Sequence, residues 1–390
     1  MDYQTKKIAL LGSTGSIGRQ ALEVIRQYPE RFKAEILIAG QNVDTLIAQA
    51  AEFRPKMAII ANPEHYNRLK ESLEPLGIKT AAGEKAITDA MSLDYFDTLL
   101  NATVGYSGLA PTLAAISNHK KISLANKETL VVAGEIVTEA ARRNNINIMP
   151  VDSEHSAIYQ CLVGEDKNTV SELIVTASGG PFRTFTPKQI AAATVKDALN
   201  HPNWSMGSKI TIDSATMLNK SFEIIEARWL FDIPGNRISA IVHPQSIIHS
   251  MVRFHDGAVK AQLGVPDMKL PIRYAMGEET RFLTNDEPLD FKKITNLTFE
   301  TPDAERFPCV TLGHYALKRG GTAACTINAA NEIAVAAFLK NLISFNDIYT
   351  TIMSTLKATT FIEAPDYDDY VAVNDEARRR ASEYILSINK

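Results

Sequence analysis

The chain has 390 residues, of which 45% are hydrophobic and 22% charged, and its formal net charge is −4. This length exceeds one ordinary hydrophobic core, so we expect two or three globular domains rather than a disordered or fibrous protein. Charges of both signs are spread along the chain, so we expect no nucleic-acid partner. No signal-peptide pattern, membrane-length apolar run or CxxC spacing occurs, which predicts a cytoplasmic protein without a membrane partner or zinc.

The first 150 residues alternate short apolar runs with segments of helical period. The runs are IALLG, EILIAG, MAIIAN, TLLNAT, ISLAN and INIMP, and RQALEVIRQY and TLVVAGEIVTEAARR are helical segments between them. Continuous apolar strands separated by crossover helices indicate a parallel sheet that is covered on both faces. We therefore predict a Rossmann-like, doubly wound α/β domain of about six strands over residues 1–150.

After Pro150 the pattern changes to strands without regular intervening helices. We predict strands within LIVTASGGPFR, KITIDSA, ISAIVH, SIIHSMVRF and AVKAQLG. They indicate a mixed or antiparallel sheet in a second, α+β domain over residues 151–285. Residues 286–311 are polar and contain prolines, which is typical of a linker, and residues 312–390 are predicted to form a C-terminal helical bundle domain. The last helix of that domain is predicted to follow Asn374.

The loop GSTGSIG, residues 12–18, lies between the first strand and the first helix. Its glycines permit a tight turn that directs the N–H groups of a helix start at a pyrophosphate, although a plain βα turn has the same spacing. Its place at the first βα junction favours nucleotide binding. At the end of the second strand, Gly40, Gln41 and Asn42 stand where an acid would bind the ribose of NAD, so NADP is favoured.

Two carboxylates, Asp152 and Glu154, follow the sixth apolar run in the stretch PVDSEHSAI. In an extended segment both would lie on one side, where like charges repel unless a cation such as Mg²⁺ or Mn²⁺ lies between them. Alternatively, Asp152 or Ser153 caps the next helix and Glu154 stabilises its first turn. These residues alone leave both interpretations open, and we interpret His155 as structural.

A helix predicted from about Ser214 carries Asn219, Lys220 and Glu223 on one face. A serine, an asparagine and a lysine near a helix start can bind a phosphate, and Glu223 can supply a third carboxylate for a metal. The alternative is an exposed ion pair between Lys220 and Glu223, which stabilises a helix only slightly. Glu226 is an equal candidate for the third carboxylate by sequence alone.

Three further motifs carry candidate residues. Ser178 lies in ASGGPFR, which is either a second anion-binding loop or a simple turn. His201 and Trp204 lie with Met206 in HPNWSMG, which is either a lid over a ligand or a loop fastened to its domain. Lys127 in NKET ends a strand at the edge where α/β sheets bind ligands, and it either reaches a substrate or begins a helix.

Together, GSTGSIG, LANKETLV, PVDSEHSAI, TASGGPF, HPNWSMG and KITIDSATMLNKSFEIIEA resemble motifs of the 1-deoxy-D-xylulose 5-phosphate reductoisomerase family, and the resemblance spans nearly the whole chain. It implies that 1-deoxy-D-xylulose 5-phosphate is converted to 2-C-methyl-D-erythritol 4-phosphate in the non-mevalonate isoprenoid pathway. The implied cofactors are NADPH and Mg²⁺, Mn²⁺ or Co²⁺. The implied assembly is a homodimer with a mobile flap near residues 199–209 of the catalytic domain.

The resemblance also assigns roles to residues, and it selects Glu223 over Glu226. The implied metal ligands are Asp152, Glu154 and Glu223, and these three with Lys127 are the implied catalytic residues. The implied sugar-phosphate contacts are Lys127, Ser153, Glu154, Ser178, His201, Trp204, Ser214, Asn219, Lys220 and Glu223. The implied NADPH contacts are Thr14, Gly15, Ser16, Ile17, Gly40, Gln41, Asn42, Asn126, Glu128 and Gly207.

The residue types fit this chemistry. Glu154 is the candidate base whose removal of a hydroxyl proton starts a retroaldol–aldol rearrangement before hydride transfer. Two competing hypotheses share the dinucleotide domain: an NADP-dependent semialdehyde or hydroxy-acid dehydrogenase, and a nucleotide-sensing protein without chemistry. A dehydrogenase needs no carboxylate-bound metal, and a sensor consumes no substrate.

Overall fold

The structure is a computed structural model that describes residues 5–204 and 206–388, and it divides into two compact units. Unit one comprises the described part of Met1–Thr129 together with Val137–Ser156 and Asp267–Thr284. Unit two comprises Leu130–Ile136 and the described parts of Ala157–Pro266 and Asn285–Lys390. The finer division into four regions stays a prediction.

Unit one contains the predicted parallel sheet, with seven strands. They are β1 (Lys6–Leu11), β2 (Phe32–Ala39), β3 (Met57–Ile60), β4 (Lys79–Ala82), β5 (Thr98–Asn101), β6 (Lys121–Leu124) and β7 (Ile148–Pro150), in the order β4-β3-β2-β1-β5-β6-β7. All neighbouring pairs are parallel. The strand order reverses beside β1, which places a ligand crevice at the carboxyl ends of β1 and β5. The Rossmann-like prediction is therefore confirmed.

Helices connect these strands, as the alternating sequence pattern predicts. They are α1 (Ser16–Gln27), α2 (Val43–Phe53), α3 (Tyr66–Leu73), α4 (Glu84–Ala90), α5 (Leu109–Ser117) and α6 (Glu128–Arg143), and α7 (Ser153–Leu162) follows β7. The strand interiors are apolar because both sheet faces are covered, and Ile8, Leu10, Ile36 and Ile59 have no exposed surface. The sequence analysis missed β4, whose residues KTAA form a short edge strand.

Unit two contains a mixed four-stranded sheet. Its strands are β8 (Val170–Ala177), β9 (Ile238–Val242), β10 (Ile248–Phe254) and β11 (Val259–Leu263), in the order β11-β10-β8-β9. Only the pair β8 and β9 is parallel among the described pairs of this sheet. Four helices lie between β8 and β9 in the chain: α8 (Pro187–Ala191), α9 (Val195–Leu199), α10 (Ser208–Ala215) and α11 (Leu218–Phe231).

The strand predicted in KITIDSA is wrong, because these residues form α10. Apolar and polar residues alternate there, which is the strand period. In the helix, Lys209 instead pairs with Asp213 one turn later at 2.8 Å, and Ile212 and Ala215 are fully buried. Tertiary packing and a helical ion pair therefore outweigh the local pattern.

The C-terminal region is helical, as predicted. After α12 (Lys269–Met276), which belongs to unit one, it comprises α13 (Leu312–Arg319), α14 (Ala323–Leu339), α15 (Asp347–Ala358) and α16 (Tyr367–Ile388). The last helix begins at Tyr367 rather than after Asn374, which is a buried residue within it. An apolar core joins α10 and α11 to α14 and α15 through residues such as Phe222, Ile327 and Ile348.

The three cysteines of the chain, Cys161, Cys309 and Cys325, are buried free thiols. Burial raises the pKa of Cys161 to about 11 and that of Cys325 to about 12, and it raises the pKa of Cys309 further. They act as small core residues. Among the described residues, no helix combines the length and apolar character that a membrane crossing requires.

Candidate functional site

In unit one, the glycine loop closes tightly between β1 and α1. Gly12 has φ +89°, and a Cβ on it would lie 2.5 Å from the carbonyl oxygen of Ala102. A Cβ on Gly18 would lie 2.2 Å from the carbonyl oxygen of Gly12, so only glycine fits at both positions. Gly15 caps α1 with backbone alone, which leaves the first N–H groups of the helix directed at the crevice. Thr14, Ser16 and Ile17 line this partly exposed turn.

The residues after β2 are exposed and neutral. The Gln41 Oε1 accepts a hydrogen bond from Asn62 at 2.9 Å, and the Asn42 side chain caps α2 by accepting from the Thr45 N–H at 3.0 Å. Gly40 is exposed beside them, and Asp44, the first acid, forms an ion pair with Arg68 of α3. The first acid after β2 is therefore paired with a cation, and the sequence analysis had not placed Arg68 there.

Asn126 and Glu128 lie after β6 and are buried in a polar network. The Asn126 amide donates to the carbonyl oxygens of Thr103 and Gly105 at 3.1 and 3.0 Å, and to the Glu128 carboxylate at 3.0 Å. Thr129 donates to the same Asn126 through its backbone N–H. The network fixes the β6 loop against the loop after β5, at the edge of the sheet where the glycine loop also lies.

Lys127 and Asp152 form a buried ion pair between the ends of the adjacent strands β6 and β7. Their Nζ and Oδ2 atoms are 2.6 Å apart, and their side chains are 6% and 10% exposed. His155 lies 3.4 Å from the other carboxylate oxygen. Burial alone would raise the pKa of Asp152, but the Lys127 ammonium and the His155 imidazole hold it well below its usual range. Asp152 is therefore an ionised carboxylate.

The stretch from Asp152 to Glu154 is not extended, which corrects one premise of the sequence analysis. α7 begins at Ser153, and the Glu154 N–H donates to the Asp152 carboxylate at 3.2 Å, so Asp152 does stabilise the helix start. Ser153 donates to the Glu154 carboxylate at 2.5 Å. The structure thus brings Lys127, Asp152, Ser153 and Glu154 together at one strand edge, and helix capping accounts for only part of their contacts.

In unit two, Ser178 and His201 meet at the end of β8. The Ser178 Oγ lies 3.0 Å from the His201 Nε2. The His201 Nδ1 accepts hydrogen bonds from the N–H groups of Asn203 and Trp204 at 3.2 and 3.0 Å, so the ring proton resides on Nε2 and points towards Ser178. Burial and the charge of Lys220 lower the pKa of His201 to about 4, which keeps the ring neutral near pH 7.

Asn219, Lys220 and Glu223 form a second cluster on α11. The Lys220 Nζ donates to the Thr176 carbonyl at 2.7 Å and to the Glu223 carboxylate at 2.5 Å, while Asn219 donates to the other Glu223 oxygen. The Lys220 and Glu223 side chains are 6% and 1% exposed. The alternative of an exposed ion pair is therefore wrong. Glu226 is equally buried, so burial does not separate the two candidate carboxylates.

Ser214 lies at the junction of α10 and α11. A Cβ on Gly180, which has φ +68°, would lie 2.6 Å from the Ser214 carbonyl oxygen, so the Ser-Gly-Gly turn rests on the Ser214 backbone. Met217 takes the left-handed conformation, with φ +59°, and α11 begins at the next residue. The predicted phosphate contacts Ser178, Ser214, Asn219 and Lys220 thus surround one end of β8.

The loop that carries Trp204 is fastened to unit two. The Trp204 ring lies 6.2 Å from that of His249, and Asn203 donates to the Pro244 carbonyl at 2.6 Å and to the Ser246 hydroxyl at 3.0 Å. The sequence analysis had not identified Asn203 as this anchor. The contacts fit a fastened loop, and its movement as a flap stays a prediction; Ser205 lies outside the described residues. Gly207, which precedes α10, is exposed.

Comparison with known proteins decides the family. Residues 8–134 match the model described as 1-deoxy-D-xylulose 5-phosphate reductoisomerase, and residues 148–231 and 263–380 match two models of the C-terminal domains of that enzyme. The reductoisomerase of Bacteroides thetaiotaomicron is 54% identical over 380 residues, which is 97% of each chain. The chain belongs to the 1-deoxy-D-xylulose 5-phosphate reductoisomerase family. It is therefore an enzyme of the oxidoreductase class.

Solved structures of reductoisomerases have the same fold. The enzyme from Zymomonas mobilis, solved in complex with NADPH, is 43% identical, with a TM-score of 0.91 over 98% of this chain and 99% of its own. A reductoisomerase solved with NADPH, fosmidomycin and magnesium is 38% identical, with a TM-score of 0.94 over 99% of each chain. The resemblance drawn from sequence motifs is confirmed at the level of family and fold.

Proposed function

We propose that this chain catalyses the NADPH- and divalent-metal-dependent conversion of 1-deoxy-D-xylulose 5-phosphate to 2-C-methyl-D-erythritol 4-phosphate, a step of non-mevalonate isoprenoid biosynthesis. The observation that carries the proposal is the match to reductoisomerase models and relatives along nearly the whole chain. The relatives solved with NADPH and magnesium support these two cofactors, and Mn²⁺ or Co²⁺ are the alternative cations.

The donor sets fit both cofactors. Gly12 and Gly18 permit a tight turn, and Gly15 leaves the first N–H groups of α1 without a side-chain cap, so the helix start suits a pyrophosphate. The neutral residues after β2 suit the 2′-phosphate of NADPH. An ionised Asp152 and the neighbouring Glu154 offer the oxygen ligands that hard divalent cations prefer. We propose Glu223 as the third ligand, on the family resemblance and its carboxylate chemistry.

Different side chains bind the two ends of the substrate, the phosphate and the carbonyl with its neighbouring hydroxyl groups. Ser178, Ser214, Asn219 and Lys220 hold the phosphate, and the neutral His201 adds an Nε2–H donor. Binding energy from this distant group orients the reacting carbons. Trp204 and its loop exclude water.

At the other end, Lys127 and Ser153 bind the carbonyl and hydroxyl groups. Glu154 accepts a hydroxyl proton, which permits one carbon–carbon bond to break and another to form in a retroaldol–aldol pair. When bound, the cation supplies a Lewis acid and template, and NADPH supplies the hydride. Lys127 keeps the carboxylate of Asp152, a proposed metal ligand, ionised and oriented.

The test follows NADPH absorbance with 1-deoxy-D-xylulose 5-phosphate before and after EDTA. We expect turnover that EDTA abolishes and Mg²⁺ or Mn²⁺ restores. Glu223→Gln should lower the metal-supported rate by at least about 100-fold while the circular dichroism spectrum is retained. Glu226→Gln neutralises an equally buried carboxylate on the same helix and is the matched control, expected to keep most activity.

Two outcomes would contradict the proposal. Turnover that survives EDTA would favour a metal-independent dehydrogenase, and a near-normal rate of Glu223→Gln at saturating Mg²⁺ would remove Glu223 from the metal site. A homodimer in the cytoplasm is the accompanying proposal from the family resemblance. Size-exclusion chromatography with light scattering would contradict its first part by giving the mass of one chain.

A further inference from the structure

Asp213, the residue before Ser214, is buried and held by two elements. Its side chain is 2% exposed, and one carboxylate oxygen lies 2.8 Å from the Nζ of Lys209 on the same helix. The other oxygen accepts a hydrogen bond of 2.7 Å from the Nδ2 of Asn331. Asn331 lies on α14, in the C-terminal helical region, and has no exposed surface. A fully buried amide therefore joins that region to the last turn of α10.

This turn leads directly into the proposed phosphate site. The Thr216 hydroxyl donates to the Asp213 carbonyl at 3.1 Å and accepts from the Leu218 N–H at 3.3 Å, so it links the end of α10 to the start of α11. Met217 between them is left-handed, which costs about 1 kcal/mol or more for a residue with a side chain. A shift of Asp213 would consequently displace Ser214 on one side and Asn219 on the other.

The junction packs into the apolar core through Ala215, Met217 and Leu218, but one side of it borders a pocket. A cavity of about 270 Å³ lies beside it, lined by Thr216 together with Phe307, Cys309 and Tyr349. Close-packed atoms are therefore missing beside Thr216, and the left-handed backbone of the neighbouring Met217 persists only when its surroundings fix it. The directional hydrogen bond from Asn331 to Asp213 supplies that constraint.

The hydrogen bond between Asn331 and Asp213 is compatible with a phosphate bound nearby, because it adds no charge. Asp213 is negative, and Lys209 supplies its countercharge, so a second cation is unnecessary for charge balance. Asn331 donates without adding charge, which anchors the carboxylate while leaving the field at the phosphate site unchanged. An aspartate in place of Asn331 would add a negative charge. It would also place a second carboxylate oxygen, which cannot donate a hydrogen bond, against the carboxylate of Asp213.

We propose that Asn331 is a positioning residue for recognition of the substrate's phosphate group: it fixes Asp213, and through Asp213 the α10–α11 junction that presents Ser214, Asn219 and Lys220. The proposal rests on the proposed function for the identity of the substrate. It assigns to the C-terminal helical region a part in substrate affinity, exerted through one buried hydrogen bond. Asn331 itself touches neither the substrate nor the cofactor.

The test compares Asn331→Ala with Asn328→Ala. Asn328 lies on the same helix, is equally buried, and donates to a carboxylate, that of Glu332, which belongs to α14 itself. In both asparagines the Oδ1 atom has no hydrogen-bond partner among the described residues, so the two truncations are closely matched. The free energy of unfolding should fall by a similar amount in both variants. Only the substitution at residue 331 should weaken phosphate binding.

For Asn331→Ala we expect the KM for 1-deoxy-D-xylulose 5-phosphate to rise about tenfold, with kcat within about threefold and the KM for NADPH unchanged. The inhibition constant of inorganic phosphate should rise in parallel. Asn328→Ala should change each constant less than about twofold. Asn331→Asp keeps the side-chain shape and should raise the substrate KM more than alanine does. Equal KM changes at the two positions, or an unchanged KM in Asn331→Asp, would overturn the proposal.

Failure of the proposed function would be visible separately. If the wild-type enzyme does not consume the deoxyxylulose phosphate, calorimetric titration with inorganic phosphate still tests Asn331. Weaker phosphate binding by Asn331→Ala than by Asn328→Ala supports the positioning role for whatever phosphorylated substrate the enzyme takes. Equal binding by the two variants, or no phosphate binding by the wild type, overturns it.

Discussion

The buried pair of Lys127 and Asp152 makes a quantitative prediction for Asp152→Asn. The substitution preserves shape but removes the negative charge that lies 2.6 Å from the Lys127 ammonium, whose side chain is only 6% exposed. Removing one partner of a buried ion pair costs about 3–5 kcal/mol, and the asparagine oxygen retains one acceptor, so we expect a loss of about 3 kcal/mol in metal-free protein. In the wild type, Mg²⁺ at about 100 times its dissociation constant should add about 2.7 kcal/mol, which the variant should lose.

The assay is urea denaturation, followed by circular dichroism, in EDTA and in excess Mg²⁺. Glu35→Gln is the control in the same unit, because Glu35 is 2% exposed and pairs with Lys33 at 2.9 Å in β2, away from any proposed ligand. It should lose stability without losing the response to Mg²⁺. If Asp152→Asn is stabilised by Mg²⁺ as much as the wild type, Asp152 is not a ligand. If its stability in EDTA is unchanged, the argument from the buried pair is wrong.

Two further predictions concern unit two. The pKa of His201 is about 4 in the folded protein, against an ordinary value of 6.5. Between these pH values the unfolded chain binds more protons at His201 than the folded chain does. The contribution of neutral His201 to the free energy of unfolding is therefore full above about pH 6.5 and is lost as the pH falls towards 4. After allowance for solvent screening this contribution amounts to about 1–2 kcal/mol. In urea denaturation, His201→Asn should therefore lose less stability on acidification than the wild type. An equal loss of stability in both proteins would refute the lowered pKa of His201. Gly180→Ala should cost about 2–3 kcal/mol and raise the substrate KM, because its Cβ would lie 2.6 Å from the Ser214 oxygen. Gly164→Ala, also at positive φ but in open space, should cost about 1 kcal/mol and leave KM unchanged; a similar KM in both variants would contradict the role of the turn.

Sequence patterns predicted most of the sheet in unit one because parallel strands covered on both faces must be continuously apolar. β4 escaped detection because an edge strand of four residues, KTAA, carries no such run. The strand predicted at KITIDSA failed for a different reason. The two-residue alternation is present, but burial of Ile212 and the Lys209–Asp213 pair favour a helix. The i, i+4 spacing of that pair is visible in the sequence but is a weak signal, and the burial of Ile212 is not visible before the fold is known.

Some contacts of the candidate site could be predicted from the sequence. The ends of parallel strands meet at one edge, so the proximity of Lys127 to Asp152 follows from their positions after β6 and β7. The tautomer of His201 depends on two backbone N–H groups, and the contact of Asn331 with Asp213 spans 118 positions. Residue types do not predict such contacts, because they arise only when distant helices pack.

Burial of all three cysteines has a practical consequence for following motion in solution. A thiol with a raised pKa and little exposed surface reacts slowly with maleimides, so labelling of the native cysteines should be slow. A single cysteine in place of exposed Pro202 would then carry a fluorophore or spin probe at one known position. The mobility of such a probe, recorded with and without ligand, would report whether the loop bearing Trp204 changes its surroundings.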